Sequence, residues 1–111
     1  METDRALEVL AALAHSIRLS VFRALVQAGP EGLPAGRIAE LMEMPASSLS
    51  FHLKELYRAG LLISRQDGRS IIYSARFQTM NDLLGYLTEN CCGGNPCLPM
   101  SNCNVTSDSS L

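Results

Sequence analysis

Four cysteines crowd one stretch of a chain that is otherwise free of them: Cys91, Cys92, Cys97 and Cys103, in YLTENCCGGNPCLPMSNC. Adjacent cysteines pair poorly with each other, because their Cα atoms lie too close for relaxed disulfide geometry. They can instead share one soft ion. A ligand set made only of thiolates selects thiophilic species such as As(III), Sb(III), Cu(I), Cd(II) or Zn(II) over hard cations. Three thiolates suit a trivalent metalloid with a lone pair, and four suit tetrahedral zinc. Cys91, Cys92 and Cys97 make the compact three, with Gly93-Gly94 as the turn that brings Cys97 back; Cys103 is a spare or a fourth ligand. A catalytic thiol would need a nearby cation, histidine or helix N-terminus to lower its pKa. Residues 77–111 contain no Lys, Arg or His and no Cys-x-x-Cys spacing, so neither an enzyme nor an organic cofactor is expected. The alternatives are a disulfide between two copies formed on oxidation, which would make the thiols a redox sensor, and a four-cysteine site for Zn, Cd or Cu(I), either sensing or simply structural.

A second set of residues is marked by charge. The chain carries a formal net charge of −2, unevenly spread. Residues 47–76 hold Lys54, Arg58, Arg65, Arg69 and Arg76 against Glu55 and Asp67, a local excess of +3, whereas residues 1–46 and 77–111 are both net acidic. Phosphate contacts belong in that middle segment. At about 100° per residue, Leu49, Leu53 and Leu56 fall together as a buried stripe. The opposite face shows Ser47, Phe51, Lys54 and Arg58, with Ser48 and Ser50 on its flanks. In a DNA major groove, the Phe51 ring could meet a thymine methyl and the serine hydroxyls could bond base edges or phosphate, while Lys54 and Arg58 hold the backbone. The alternative is that Phe51 tucks under a neighbouring element and the charges form a solvated face. His52 reads as a partly buried hydrogen-bonding residue rather than a base reader, and His15 as a cap or loop contact rather than a ligand.

The elements that must position these residues are legible from spacing. TDRALEVLAALA has Leu7, Leu10 and Leu13 at helical intervals, with Thr3 or Asp4 as N-cap. HSIRLSVFRALVQAG repeats the pattern and stops at Gly29-Pro30. PAGRIAELM predicts a short helix burying Ile38, Leu41 and Met42, and the turn MEMP leads to a fourth helix that Gly60 closes. Two helices joined by such a turn have the punctuation of a helix-turn-helix. LLISRQDGRSIIYSA alternates around Asp67-Gly68, a hairpin turn dipeptide that places Arg65 and Arg69 at a wing. RFQTMNDLLGYLTEN gives a last helix with Met80, Leu83, Leu84 and Leu87 on one side. The expected fold is mainly α with a small β-hairpin, a winged helix-turn-helix in the order four helices, two strands, one helix. Residues 1–90 form the domain, and residues 91–111, rich in Gly, Pro, Ser and Asn, form a flexible tail. The apolar residues of the first and last helices exceed what so small a core needs, which points to a homodimer through them; the alternative is that they are monomer core. The acidic N-terminus lacks a secretion signal, and no stretch approaches the roughly 18 apolar residues of a spanning helix, so a cytoplasmic location with no membrane partner is expected.

ALAHSIRLSVFRAL, then IAELMEMPASSLSFHLKELYRAGLL, then RQDGRSIIY resemble the ArsR/SmtB family of winged-helix metalloregulatory repressors across roughly residues 4–90. The most specific part is the run from Ser47 through Ser50-Phe51-His52-Leu53 to Ala59-Gly60-Leu61, taken with the hairpin that follows. The resemblance implies a homodimer that binds a palindromic operator in double-stranded DNA and leaves it when a metal or metalloid binds. It also implies DNA contacts from Ser47, Ser50, Phe51, Arg65 and Arg69. Founding members carry a Cys-x-Cys pair where this chain has LPAGRIA, and zinc sensors use histidines on the last helix, where none follows His52 here. The run ENCC instead resembles the arsenical repressors whose thiolates sit just past that helix, which implies As(III) or Sb(III) as inducer.

Overall fold

In the computed structural model, which describes residues 1–90, helix α1 (Thr3–Leu13) turns Ala6, Val9 and Ala12 inward and leaves Leu7 and Leu10 outside. The small residues let α1 lie close on the core, and the leucines one position further round are left for another contact. The N-cap is Glu2, with no side-chain hydrogen bond. Neither Thr3 nor Asp4 caps this helix, and the Thr3 hydroxyl meets the Tyr86 hydroxyl at 2.6 Å instead. Helix α2 (Ser16–Ala28) buries Val21, Phe22 and Leu25, and His15 caps it by accepting the Ile17 N–H at Nδ1, 3.1 Å. Gly29 ends it and begins a single 3-10 turn, Gly29–Glu31.

A two-residue strand, β1 (Leu33–Pro34), follows where a loop running straight into the helix of PAGRIAELM is predicted, and Pro34 caps that helix instead of lying in its first turn. Proline is tolerated there because the strand lies at a sheet edge. Helix α3 (Ala35–Met42) buries Ile38, with Ala35, Ala39 and Met42 half-buried around it. Leu41, predicted as core, is 44% exposed because it falls roughly 110° from the centre of that inner face. Glu43, left-handed at φ 55°, makes the turn into Pro45, the N-cap of α4 (Ala46–Arg58). Leu49, Leu53 and Leu56 are buried as the wheel predicts. They join Val21, Leu25, Ile38, Leu61 and Leu62 in one core, each such side chain contributing about 1.5–3 kcal/mol on burial.

Gly60, at φ 81°, reverses the chain after α4; a Cβ there would collide with the Arg5 guanidinium. Strands β2 (Leu62–Asp67) and β3 (Ser70–Ala75) form the hairpin, and the sheet order is β1-β3-β2, all antiparallel. Asp67 pairs with Ser70, so the two-residue loop is Gly68-Arg69 and not Asp67-Gly68. Gly68 at φ 65° suits a first loop position that requires positive φ. Helix α5 (Phe77–Leu87) buries Thr79 and Leu83 and leaves Leu84 and Leu87 exposed. Thr79 Oγ1 donates to the Gly60 carbonyl at 2.6 Å, tying α5 to the end of α4. No single helix among the described residues is long and apolar enough to cross a membrane.

Candidate nucleic-acid interface

The first three turns of α4 present the predicted reading face. Ser47, Ser48, Ser50, Phe51 and Lys54 are all exposed, and Phe51 keeps 54% of its surface in solvent. The Ser50 hydroxyl donates to the Ser47 carbonyl at 3.0 Å, which leaves its oxygen free to accept. Pro45 supplies no side-chain cap, so the leading N–H groups of α4 have no side-chain acceptor at that end and favour an anion.

Behind Phe51 lies a cluster drawn from two helices. Arg18 on α2 donates from Nε to His52 Nδ1 at 3.2 Å, and its Cζ stands 5.8 Å from the centre of the Phe51 ring. His52 meets Phe51 edge-on at 5.6 Å, and His15 at 4.6 Å, between ring centres. Burial first, then the charges of His15 and Arg18, hold the His52 pKa below its ordinary value. His52 is thus a half-buried acceptor and His15 a cap, as their positions in the sequence suggest.

Between α4 and the hairpin runs a cleft of about 420 Å³ lined by Ser50, Lys54, Tyr57, Ser64 and Tyr73. Four hydroxyls and one ammonium along one groove suit a phosphate chain passing between helix and hairpin. Tyr57, Ser64 and Tyr73 are absent from the sequence-derived set. Tyr57 is signalled by its spacing, since positions 50, 54 and 57 share a helical face. Ser64 and Tyr73 become neighbours only through the strand register that pairs them.

The remaining basic residues are more dispersed. Arg58 lies at the far end of α4, pairs with Glu55 at 3.1 Å and lines a cavity with Glu8, Ala11, Ala12 and Arg18. Arg65 donates to the Glu31 carbonyl at 3.0 Å, whereas Arg69 sits in the exposed hairpin loop. Among the described residues no group of three or more His, Cys, Asp or Glu side chains could hold a metal ion. Cys91, Cys92, Cys97 and Cys103, and the expectation of a flexible tail, lie outside the described residues.

A family model for a helix-turn-helix domain matches residues 13–65, which span α2 through most of β2. Over 81 residues the chain is 33% identical to the HTH-type transcriptional regulator YceK of Bacillus subtilis (strain 168), covering 72% of this chain and 80% of that one. The solved ArsR-like transcriptional regulator from Rhodococcus sp. RHA1 superposes with a TM-score of 0.67 at 26% identity, over 76% of each chain. The chain belongs to the ArsR-type winged-helix transcriptional regulators. Within that family frame α3, the Glu43 turn and α4 are the helix-turn-helix, and the β2–β3 hairpin is the wing. The homodimeric winged helix-turn-helix DNA-binding domain of Mb0332 from Mycobacterium bovis shares the fold, with a TM-score of 0.60 at 24% identity over 77% of this chain and 83% of that one.

Proposed function

We propose that this ArsR-type regulator is a homodimeric repressor that holds duplex DNA through α4 and the wing and releases it when Cys91, Cys92 and Cys97 capture As(III) or Sb(III). The observation that carries the DNA reading is Phe51, 54% exposed on the leading turns of α4 among three serines and Lys54. Its ring meets thymine methyls in the major groove, the serines bond base edges or phosphate, and Lys54 with the α4 N-terminus holds the backbone. The helix–wing cleft seats the adjoining strand, and Arg69 at the wing tip reaches the flanking phosphates.

One reading head binds weakly; two, with half-sites about one helical turn apart, bind specifically. The surface for pairing is the apolar face left by α1 and α5, where Leu7, Leu10, Leu84 and Leu87 are 58%, 39%, 40% and 56% exposed. The Thr3–Tyr86 contact joins the two helices along it.

Release follows from position. The first thiolate comes directly after Asn90, four residues from the last residue of α5. Helix α5 is bonded to α1 through Tyr86 and to the end of α4 through Thr79. Capture that shifts the end of α5 therefore bears on both the pairing face and the reading helix. Turning an operator from almost fully bound to almost fully free requires about 5.5 kcal/mol of differential affinity, a demand that three arsenic–sulfur bonds can meet.

The test is a titration of As(III), Zn(II) and peroxide, separately, against the protein bound to a duplex selected by it from a random pool. Release by As(III) with Zn(II) and peroxide ineffective is the expected result. Release by peroxide alone would replace the metalloid with oxidation as the signal.

A further inference from the structure

The side chain proposed to read bases is held from behind by a residue of another helix. Arg18 donates from Nε to His52 Nδ1 at 3.2 Å and from Nη1 to the Ala12 carbonyl at 3.4 Å, and it lies over the Phe51 ring at 5.8 Å. The Ala12 contact alone would serve to satisfy an orphan carbonyl at the end of α1. The bond to His52 and the approach to Phe51 have no part in that capping. They place one guanidinium against the end of α1, the flank of α4 and the back of the exposed aromatic.

We propose that Arg18 is a positioning residue for DNA reading: through His52 it sets the direction of the Phe51 ring, so base preference depends on Arg18 and on His52 remaining an acceptor. This rests on the reading of Phe51 as a base contact. An imidazole accepts at Nδ1 only while that nitrogen is unprotonated, which places the proton of neutral His52 on Nε2. Protonation would set a donor against the Arg18 donor and add a cation beside Arg18 on α2 and His15 at its N-cap. The other charged groups facing Arg18 are Glu8 from α1 and Glu55 and Arg58 from α4, across the cavity they share. Glu55 is engaged with Arg58 at 3.1 Å. Burial first, then His15 and Arg18, lower the His52 pKa from its ordinary value and favour the neutral ring. Since the unfolded chain takes up this proton more readily, the contribution is complete above the ordinary histidine range and declines as pH falls through it.

The experiment compares fluorescence anisotropy on the selected duplex and on a scrambled duplex of equal composition, between pH 7.5 and about pH 5, with thermal unfolding of every variant. Phe51→Ala reports on the base contact itself, and if it leaves the selected-to-scrambled affinity ratio intact, both that contact and the Arg18 proposal fall. Given that Phe51→Ala lowers the ratio, Arg18→Met is expected to lower it about tenfold while scrambled-duplex affinity changes little. A folded Arg18→Met protein with an unaltered ratio would overturn the proposal while leaving Phe51 as a reader. His52→Asn keeps an acceptor near the Nδ1 position but cannot titrate. It is expected to retain most of the ratio at pH 7.5 and to lose the acid-induced fall seen in wild type; an equal fall in both proteins would overturn the proposal even if Arg18→Met does not fold.

Discussion

Phe51 keeps more than half of its surface in water, while the chain's other phenylalanines, Phe22 and Phe77, are buried or half-buried. Beyond the contacts of Arg18 and His52 at its back, a ring held outward among hydroxyls gains little in the isolated molecule, which is why a partner contact is proposed for it. Replacing Phe51 by alanine should therefore leave stability within about 0.5 kcal/mol and relax base preference about tenfold, as read by urea unfolding and by competition between duplexes. Lys54→Ala should act differently. It removes a phosphate contact from each of two copies, so affinity falls for every sequence, and the slope of log affinity against log salt shrinks by about two. Gly60 is a residue of pure backbone consequence. Gly60→Ala puts a side chain at φ 81° and against Arg5, and should cost about 1–2 kcal/mol in denaturant unfolding. Phe51's exposure, the histidine roles and the need for Gly60 are all visible in sequence spacing. Arg18 is not, because its partners lie 6 and 34 positions away, on helices whose crossing no periodicity encodes.

Helices are the most legible elements here, since each of the five shows its apolar stripe over at least two turns. Where the structure departs from the spacing, the cause is either an element too short to carry a pattern or a partner distant in the chain. Strand β1 is two residues long and contains a proline, so nothing alternates, and only its pairing with Tyr73 and Ile72 reveals it. The hairpin loop lies one residue later than Asp67-Gly68 suggests, because register with β3 decides it; this puts Arg69 in the loop itself. Thr3 reads as a cap by type yet is drawn to Tyr86, a partner 83 positions away. Helices α1 and α5 divide their apolar residues between two surfaces, with Val9 and Leu83 inward and Leu7, Leu10, Leu84 and Leu87 outward. The outward set should be the seam of the dimer. Leu87→Glu, exposed in the protomer and so harmless to its core, should shift the protein from dimer to monomer in analytical ultracentrifugation and weaken operator binding more than tenfold, since avidity is lost. A dimer unchanged by that substitution would place the seam elsewhere.

For the molecule as a whole, charge divides the chain into acidic flanks and a basic centre, which the proposed function assigns to pairing and sensing and to DNA respectively. The Thr3–Tyr86 contact ties the last turn of α5 to the start of α1, and the Thr79–Gly60 bond ties its first turn to the end of α4, so a displacement of α5 as a rigid body would be felt at both. Coupling of this kind is reciprocal, and DNA should weaken metalloid binding by the factor that metalloid weakens DNA binding. The most direct measurement follows anisotropy of the selected duplex as arsenite is added to wild type and to the Cys91→Ser, Cys92→Ser protein, each dimeric and DNA-bound at the start. Release from wild type alone is expected, with the variant still bound at every arsenite concentration that empties the wild type. Equal release from both proteins, or none from wild type, would contradict it.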